Sequence, residues 1–328
     1  MLGDFAAVDQ TVKSQVVPIL ENSFIEAQKI NLAISKVIMP NFIMLSFNGT
    51  AVPNGVVPTV AANPIGFLNG FYDDEGWWAL NWVQAYDITK DNDYLVTAMD
   101  IFEDMKNSSP TPCGGIWWDK AQTYVNAIAN ELYLSLGAHL ANRASNKAYY
   151  LNLAEEQLDF FTMSGMVNSK NTINDGLDLS TCENNGGTVW TYNQGVILGA
   201  LVELQRASPN SSYLTMANTL ATAAISALST NNVLKESCEP NCGADGNQFK
   251  GIFMRNLMRL QQVSPNSKYL TFIKANADSI WSSDRNAAGE LSVQWAGPFI
   301  NPANASSHSS AMDALVAATA FDADGIGS

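Results

Sequence analysis

The sequence predicts an all-α fold made of repeated helical hairpins. A Tyr-Leu pair that opens a helical pattern recurs about every 60 residues, which is the interval of a repeat unit built from two helices. The four pairs begin at Tyr94, Tyr150, Tyr213 and Tyr269. An apolar helical pattern and a short polar turn precede the pairs. Hairpins that repeat in this way stack into an open solenoid or close into a toroid.

The connections at the two ends of these hairpins differ. At one end they are short and carry Asp-Asn or Ser-Pro-Asn turn sequences, at 89–93, 208–212 and 264–268. At the other end they are long and rich in Gly, Trp and Asn, at 112–124, 164–192, 238–250 and 285–309. A scaffold of helical repeats has short loops at both ends, whereas long aromatic loops at one end form the walls of a cleft. We therefore expect one toroidal domain over residues 1–328.

The inner helices of this toroid should all begin on the rim that carries the long loops. The expected starting points are Asp74, Tyr124, Thr191, Gln248 and Ser309. Residues 38–64 contain several prolines and Asn-Gly turn signals and have no helical period, so they are interpreted as a long loop or an insertion.

Two adjacent carboxylates, Asp73 and Asp74, stand where a loop becomes a helix. The apolar residues that follow have the spacing of a buried helix. One aspartate at such a point is expected to cap the helix. A cap needs only one, however, and a second negative charge beside it costs energy unless the site uses both.

Paired carboxylates suit the cleavage of glycosides. Retaining glycosidases use two carboxyls about 5–5.5 Å apart, one as nucleophile and one as acid. Side chains of adjacent residues at a helix start can reach this separation. Like charges at this distance also raise one pKa, which keeps one carboxyl protonated near neutral pH.

Composition narrows the range of partners. The chain has a net charge of −14 with only 17 Lys and Arg, which argues against nucleic acids and anionic membrane surfaces. A neutral substrate fits better, and eight tryptophans and ten tyrosines provide rings for stacking on sugars. No apolar run is long enough for a membrane span. No metal or cofactor motif is present, so we expect the protein to need neither a metal nor a cofactor. We also expect a monomer.

The four cysteines allow three pairings. Cys238 and Cys242 flank a Pro-Asn turn, which predicts a local disulfide, and Cys113 would then pair with Cys182. A zinc site is the alternative, but the second pair of ligands at zinc spacing is missing. Sequons occur at Asn48, Asn107, Asn210 and Asn304. Disulfides and sequons together indicate the secretory route, although residues 1–20 show no signal peptide.

With these motifs identified, the chain resembles the fungal endo-α-1,6-mannanases of glycoside hydrolase family 76. The matching stretches are 67–78, 113–118, 124–130 and 191–195, and the likeness extends from about Glu21 to Ala318. The resemblance implies an (α/α)6 toroid that acts on α-mannan or mannan-derived oligosaccharides. It also implies that Asp73 is the nucleophile and Asp74 the general acid/base.

Two features differ from the pattern of the family. The family has a Trp-rich inner helix ahead of the region matching 16–31, and residues 1–7 resemble only the tail of that helix, so the first hairpin is expected to be incomplete. Residues 38–64 are extra sequence relative to the family.

Aromatic and amide side chains near the aspartates are the candidates for substrate binding. They are Tyr72, Trp77, Trp117, Trp118, Asn126, Tyr192, Asn193 and Gln194. Glycines before Trp117 and Trp118 place these rings in a loop, which favours the wall of a sugar subsite over the core. Asn126 fits a sugar contact and a helix start equally well. His139 is expected to be structural, and Asp175 to lie in a plain turn.

The sequence thus predicts a secreted or cell-wall-associated retaining endo-glycosidase that cleaves α-1,6-mannan. A cell-wall transglycosidase with the same site is the first alternative, because acceptor choice depends on how well water is excluded. A non-catalytic helical scaffold or glycan-binding module is the second.

Overall fold

A computed structural model of the chain describes residues 1–34, 44–47, 50–53 and 64–321. In chain order its helices are α1 (Leu2–Val8), α2 (Lys13–Ile34), α3 (Tyr72–Thr89), α4 (Asn92–Lys106), α5 (Ala127–Ala141), α6 (Lys147–Met163), α7 (Thr191–Ala207), α8 (Ser211–Leu228), α9 (Gly243–Gly246), α10 (Phe249–Val263), α11 (Ser267–Ser279) and α12 (Ala305–Thr319). Its strands are β1 (Met44–Phe47), β2 (Thr50–Pro53), β3 (Ser229–Thr230) and β4 (Val233–Leu234). None of the described helices combines the length and apolar character needed to cross a membrane.

Six of the described helices form a closed inner ring. Going round the ring they are α1, α3, α5, α7, α10 and α12, and each contacts the next, with α12 returning to α1. The helices α2, α4, α6, α8 and α11 lie outside and pack against inner helices. The predicted toroid of helical hairpins is therefore confirmed. A single domain over 1–328 stays a prediction.

The first hairpin consists of α1 and α2. Helix α1 has seven residues, whereas the other inner helices have 15 to 18. It nevertheless fills the position between α12 and α3. Outside it, Phe24 of α2 packs edge-on against the buried ring of Trp82, with 4.8 Å between ring centroids. Among the described residues α1 is the shortest helix of the inner ring, and the ring is closed.

The predicted turn sequences cap the outer helices. The side chains of Asp91, Asn210 and Asn266 each accept a hydrogen bond from a backbone N–H two residues ahead, at 3.0 Å. These bonds satisfy free N–H groups at the starts of α4, α8 and α11. The Tyr of each repeated Tyr-Leu pair then points inward and is buried. The sequence repeat therefore corresponds to one buried ring in each of four outer helices, three of which also have a capping side chain.

Neighbouring inner helices approach so closely that glycine is required at their contacts. A Cβ at Gly195 of α7 would lie 2.6 Å from the Phe253 Cα of α10. A Cβ at Gly251 of α10 would lie 2.6 Å from the Ser310 Cα of α12. Both glycines lie in the first two turns of their helices, so the inner ring is tightest beside the rim that carries the long loops.

Part of the predicted insertion 38–64 forms a β-hairpin. Strands β1 and β2 pair antiparallel, with Phe47 opposite Thr50. A 3₁₀ turn, Pro64–Phe67, leads from this region to α3. The remainder of the prediction, at 38–43, 48–49 and 54–63, lies outside the described residues.

Candidate active site

Helix α3 begins at Tyr72, and its start is fastened to a neighbouring loop. The Tyr72 N–H donates to the Trp118 carbonyl at 2.8 Å, and the Lys120 N–H donates to the Gly70 carbonyl at 2.9 Å. Phe71 occupies the N-cap position without a capping side chain. Asp73 and Asp74 therefore lie in the first turn of α3, and the capping role expected for one of them is not used. This position places both carboxylates at the positive end of the helix dipole.

Asp73 is half-buried at the edge of the axial cavity. The Trp118 side chain donates a hydrogen bond to its carboxyl group. Its Oδ1 atom is buried and has no hydrogen-bond partner among the described residues. Burial, followed by the charge of Asp74, raises the pKa of Asp73 to about 6. One oxygen of this carboxyl is thus enclosed without a hydrogen bond from the described residues.

Asp74 is more exposed than Asp73. Its Oδ2 accepts a hydrogen bond from the Asn69 side chain at 2.6 Å. Burial raises the pKa of Asp74, the Asn69 hydrogen bond opposes this shift, and the charge of Asp245 adds to it. The pKa values of both carboxyls therefore lie above their usual range, so the pair retains a proton at higher pH than two isolated aspartates.

A cavity of about 1360 Å³ extends from these carboxylates along the axis of the toroid. Its lining includes Asp73 in the first turn of α3 and Ile88 in the last. These positions are about 22 Å apart along the helix. The cavity is large enough for several sugar units at the rim.

Six of the ten predicted site residues line this cavity. They are Asp73, Asp74, Trp77, Trp118, Asn126 and Tyr192. Trp118 packs against Phe71 at 4.9 Å and lies edge-on to Tyr124 at 6.3 Å, both measured between ring centroids. Tyr192 stacks flat on Phe249 at 3.8 Å. Aromatic rings therefore stand on more than one side of the carboxylates.

The other four predicted binding residues are buried and lie apart from the cavity lining. They are Tyr72, Trp117, Asn193 and Gln194. Gln194 holds a loop instead: its side chain accepts from the Ile173 N–H at 2.8 Å and donates to the Ile173 carbonyl at 2.9 Å. In these four places the structure differs from the prediction, because proximity along the chain does not decide which face of a helix meets the cavity.

Asn126 has the capping role that the sequence allowed for it, and its position at the cavity is compatible with the other role, a sugar contact. It is the N-cap of α5, and its Oδ1 accepts from the Ala129 N–H at 3.2 Å. It also lines the cavity, although it is only 4% exposed. The capping role is therefore occupied, and a sugar contact through the amide nitrogen stays a prediction.

Two further aspartates line the cavity beside the pair. Asp175 accepts a hydrogen bond from the Tyr124 hydroxyl at 2.9 Å, and Asp245 lies in the short helix α9. The sequence pattern predicts a plain turn at Asp175 and does not single out Asp245. The signal available for both was their position in long rim loops that are rich in Gly and Asn.

Two disulfides hold these loops, as predicted. Cys113 is bonded to Cys182, with 5.2 Å between their Cα atoms. Cys238 is bonded to Cys242, with Cα atoms 4.8 Å apart. The first joins the loop that carries Trp118 to the loop that precedes α7. The second closes a short loop directly before α9, and the zinc alternative is thereby excluded.

His139 lies deep in the cavity, away from the aspartate pair. Burial lowers its pKa to about 4, so the ring is neutral near pH 7. Its Nδ1 lies 2.8 Å from the Ser135 carbonyl of its own helix. These contacts fit the structural role expected for it.

The comparisons with known proteins agree with this geometry. The profile of glycosyl hydrolase family 76 matches residues 60–326. A putative mannan endo-1,6-α-mannosidase of Schizosaccharomyces pombe is 29% identical over 228 residues, which are 63% of this chain and 51% of that protein. The mannan endo-1,6-α-mannosidase DFG5 of Saccharomyces cerevisiae is 26% identical over 238 residues, 66% of this chain and 50% of that protein. The chain spans about half the length of the curated relatives it matches.

Solved structures share the fold. An α-1,6-mannanase of Salegentibacter, in an inactive variant bound to α-1,6-mannotriose, superposes with a TM-score of 0.70 at 22% identity and covers 78% of each chain. Dfg5 of Chaetomium thermophilum, bound to glucosamine, has a TM-score of 0.67 at 21% identity and covers 76% of this chain and 67% of its own. Because the family profile matches most of the sequence, this chain belongs to glycosyl hydrolase family 76.

Proposed function

We propose that this chain is a retaining endo-glycosidase that hydrolyses α-1,6-mannosidic bonds of mannan. The observation that carries the proposal is the pair Asp73 and Asp74 in the first turn of α3, at the edge of a cavity lined by aromatic rings. Two carboxyls in a cleft are the minimal equipment for glycoside cleavage with retention. Related chains named mannan endo-1,6-α-mannosidases support the choice of substrate.

In the first step the Asp73 carboxylate attacks the anomeric carbon of the mannosyl unit. Asp74 gives its proton to the glycosidic oxygen as the bond between that oxygen and the anomeric carbon breaks. The result is a mannosyl group bonded to an Asp73 oxygen, with inverted configuration.

In the second step Asp74 acts as a base. It takes a proton from a water molecule, the water oxygen bonds to the anomeric carbon, and the bond to Asp73 breaks. Two inversions return the α-configuration. Asp73 and Asp74 are then restored to their starting protonation states.

The surroundings of the two carboxyls support this division of roles. Asp73 is the deeper residue of the two, and it lines the cavity from the first turn of α3, as a nucleophile beneath a sugar ring requires. Asp74 is the more exposed residue, so it can meet the incoming water and exchange protons with solvent. The raised pKa of Asp73, about 6, shows that it competes for the shared proton, so the test must locate the covalent bond directly.

The proposed binding surface consists of six residues: Trp77, Trp118, Tyr124, Asn126, Asp175 and Tyr192. The rings offer flat faces to mannose, while the amide and the carboxylate offer hydrogen bonds to hydroxyls. The two disulfides and the cell-wall substrate support a secreted or cell-wall-associated enzyme. We propose that it acts as a monomer.

Linear α-1,6-mannan and an aryl α-mannoside with a good leaving group test this proposal. The wild type should release internal fragments with retained configuration, seen by NMR of the first product. Asp73→Asn should abolish turnover and the covalent intermediate detected by mass spectrometry. Asp74→Ala should lose about 10²–10⁴-fold on mannan and much less on the activated substrate.

Azide tests whether Asp74 is the acid/base residue. It should restore turnover of the activated substrate by Asp74→Ala and yield an α-mannosyl azide. A covalent adduct on Asp74 would reverse the two roles, and an inverted first product would rule out the retaining mechanism with two aspartates. Transfer to a sugar acceptor in place of release into water would assign the chain to transglycosylation.

A further inference from the structure

We propose that Asn69 is a positioning residue for Asp74, and that a buried ion pair between Glu75 and Lys120 holds Asn69 in place. The inference rests on the proposed roles of the two aspartates. It assigns a function to a series of polar contacts that connects the buried pair, through Asn69, with the acid/base carboxyl of Asp74.

Asn69 makes three hydrogen bonds at the start of α3. Its side-chain amide donates to Asp74 Oδ2 at 2.6 Å, and its Oδ1 accepts from the Phe71 N–H at 2.7 Å. Its own backbone N–H donates to Glu75 Oε1 at 3.0 Å. The first bond orients Asp74, the second forms the turn, and the third ties the residue to the interior.

Glu75 is fully buried directly after the catalytic pair. Its Oε1 also accepts from Lys120 Nζ at 2.8 Å, and the same ammonium group lies 2.8 Å from Asp104 Oδ2. Burial is the largest cause that raises the pKa of Glu75 well above its usual value; the charge of Lys120 opposes this shift, and the charge of Asp104 adds to it. A buried carboxyl of this kind is costly, so a use in positioning the site is a reason to keep it.

Further contacts of Lys120 connect the Glu75–Lys120 pair with the start of α3. Its backbone N–H donates to the Gly70 carbonyl at 2.9 Å, and its ammonium group lies 5.2 Å from the centre of the Tyr72 ring. The Lys120 side chain therefore meets α3 and α4, while its backbone meets the segment that leads into α3.

The amide of Asn69 has a definite electrostatic effect on Asp74. A donor 2.6 Å from a carboxylate oxygen stabilises the ionised form and so opposes the effects of burial. The negative charge of Asp245 on α9 disfavours ionisation of Asp74, and Asp73 is a second carboxyl beside it on α3. The hydrogen bond from Asn69 acts in the opposite direction and favours the ionised form.

The replacement Asn69→Asp removes the hydrogen-bond donor to Asp74 and keeps the acceptor that forms the turn. An aspartate keeps the oxygen that accepts from Phe71 but puts a negative charge where the donor stood. The pKa of Asp74 should rise, so the alkaline limb of kcat/KM on mannan should move up by about one pH unit. Asn69→Ala should move it in the same direction by less. In both variants kcat should fall about tenfold or more.

Asn286 provides a matched control. Its amide donates to Glu290 Oε2 at 2.6 Å, and its Oδ1 accepts from the Ala288 N–H at 3.0 Å, so it repeats the contacts of Asn69 in an exposed loop. Asn286→Asp should leave the pH profile and kcat unchanged. An equal shift in this variant would overturn the proposal.

Lys120→Met tests the support beneath Asn69. It removes the charge that faces Glu75, so the hold on Asn69 should weaken and kcat should fall, with KM nearly unchanged. A fall in melting temperature alone, with the pH profile and kcat of the folded enzyme intact, would mean that the ion pair serves only stability.

A titration independent of turnover keeps this proposal separate from the assigned reaction. The carbon-13 chemical shift of the Asp74 carboxyl should report a higher pKa in Asn69→Asp than in the wild type. If the wild type cleaves no mannan but this shift appears, the proposed function fails and the positioning role of Asn69 stands. If mannan is cleaved and the shift is absent, Asn69 has no such role.

Discussion

The aspartates of α3 are adjacent in the chain, yet their surroundings differ. Asp73 receives a hydrogen bond from Trp118, and Asp74 receives one from Asn69. Asp73 lies deeper and Asp74 reaches solvent. A helix turns by about 100° per residue, so neighbouring side chains in the first turn point in different directions. This difference allows two identical carboxyls to take different roles.

Replacing Asp74 by Asn should lower the pKa of Asp73. The wild-type value of about 6 reflects burial first and the negative charge of Asp74 second. Removing the charge favours ionisation, so the acid limb of turnover with an activated aryl α-mannoside should move to lower pH by about one unit. Asp278→Asn, on the exposed face of α11, should leave this limb in place. An unchanged acid limb in Asp74→Asn would mean that the two charges do not interact.

At the scale of elements, the rim loops complete a cavity that is lined largely by the inner helices. Trp118 and Tyr124 lie in the loop between α4 and α5, Asp175 lies in the loop before α7, and Asp245 lies in α9. The Cys113–Cys182 disulfide joins the first two loops, whose cysteines are 69 residues apart in the chain. The Cys238–Cys242 disulfide spans only 4 residues beside α9.

Removing the longer disulfide should cost more stability than removing the shorter one. In the chain-entropy model a cross-link over 69 residues contributes about 4 kcal/mol and one over 4 residues about 2 kcal/mol. The Cys113→Ser, Cys182→Ser double variant should therefore melt at lower temperature than the Cys238→Ser, Cys242→Ser double variant. Thermal unfolding followed by circular dichroism measures both. The opposite order would show that native contacts of the short loop outweigh chain entropy.

At the scale of the whole molecule, buried carboxyls make stability depend on pH. Glu131 of α5 is fully buried, neither of its carboxyl oxygens has a hydrogen-bond partner among the described residues, and burial raises its pKa well above the usual value. The folded chain then binds this proton more tightly than the unfolded chain. The contribution is fully present below about pH 4.5 and is lost as pH rises toward the folded pKa.

Glu203 acts in the opposite direction at lower pH. Burial alone would raise its pKa, but the charges of His139, Arg143 and Arg206 hold it at about 2. Its contribution is present above about pH 4.5 and is lost as pH falls toward 2. The two carboxyls together predict the greatest stability in weakly acidic solution.

Glu131→Gln should remove the loss of folding stability that Glu131 causes as pH rises. The amide cannot ionise, so the variant should gain stability relative to the wild type as pH rises, by up to about 1.4 kcal/mol for each unit of the window. Urea unfolding between pH 4 and pH 9 measures the difference. Glu156→Gln, on the exposed face of α6, should follow the wild type at every pH. A constant difference across this range would show that Glu131 does not titrate on unfolding.

The sequence by itself determined the helical class, the hairpin repeat and both disulfides. Each depends on information that is local or nearly so: helical periodicity, Asp and Asn caps, and the small number of ways to pair four cysteines. The adjacent aspartates were also evident from the sequence, since two like charges at a helix start need a reason. The expected starts of the inner helices lie within a few residues of the observed ones, because helix starts are also marked by local sequence patterns.

Only the tertiary structure decided which side chains meet the cavity. Trp118 lines it while Trp117 is buried, and Trp77 lines it while Tyr72 is buried. Asp175 in a loop and Asp245 in α9 are far apart in the chain, and the fold brings both to the lining of one cavity. Aromatic residues stabilise a core and a sugar site through the same apolar surface, so composition cannot separate the two uses. The packing of each loop against the inner helices makes that choice, because it sets which face of each residue is left toward the axis.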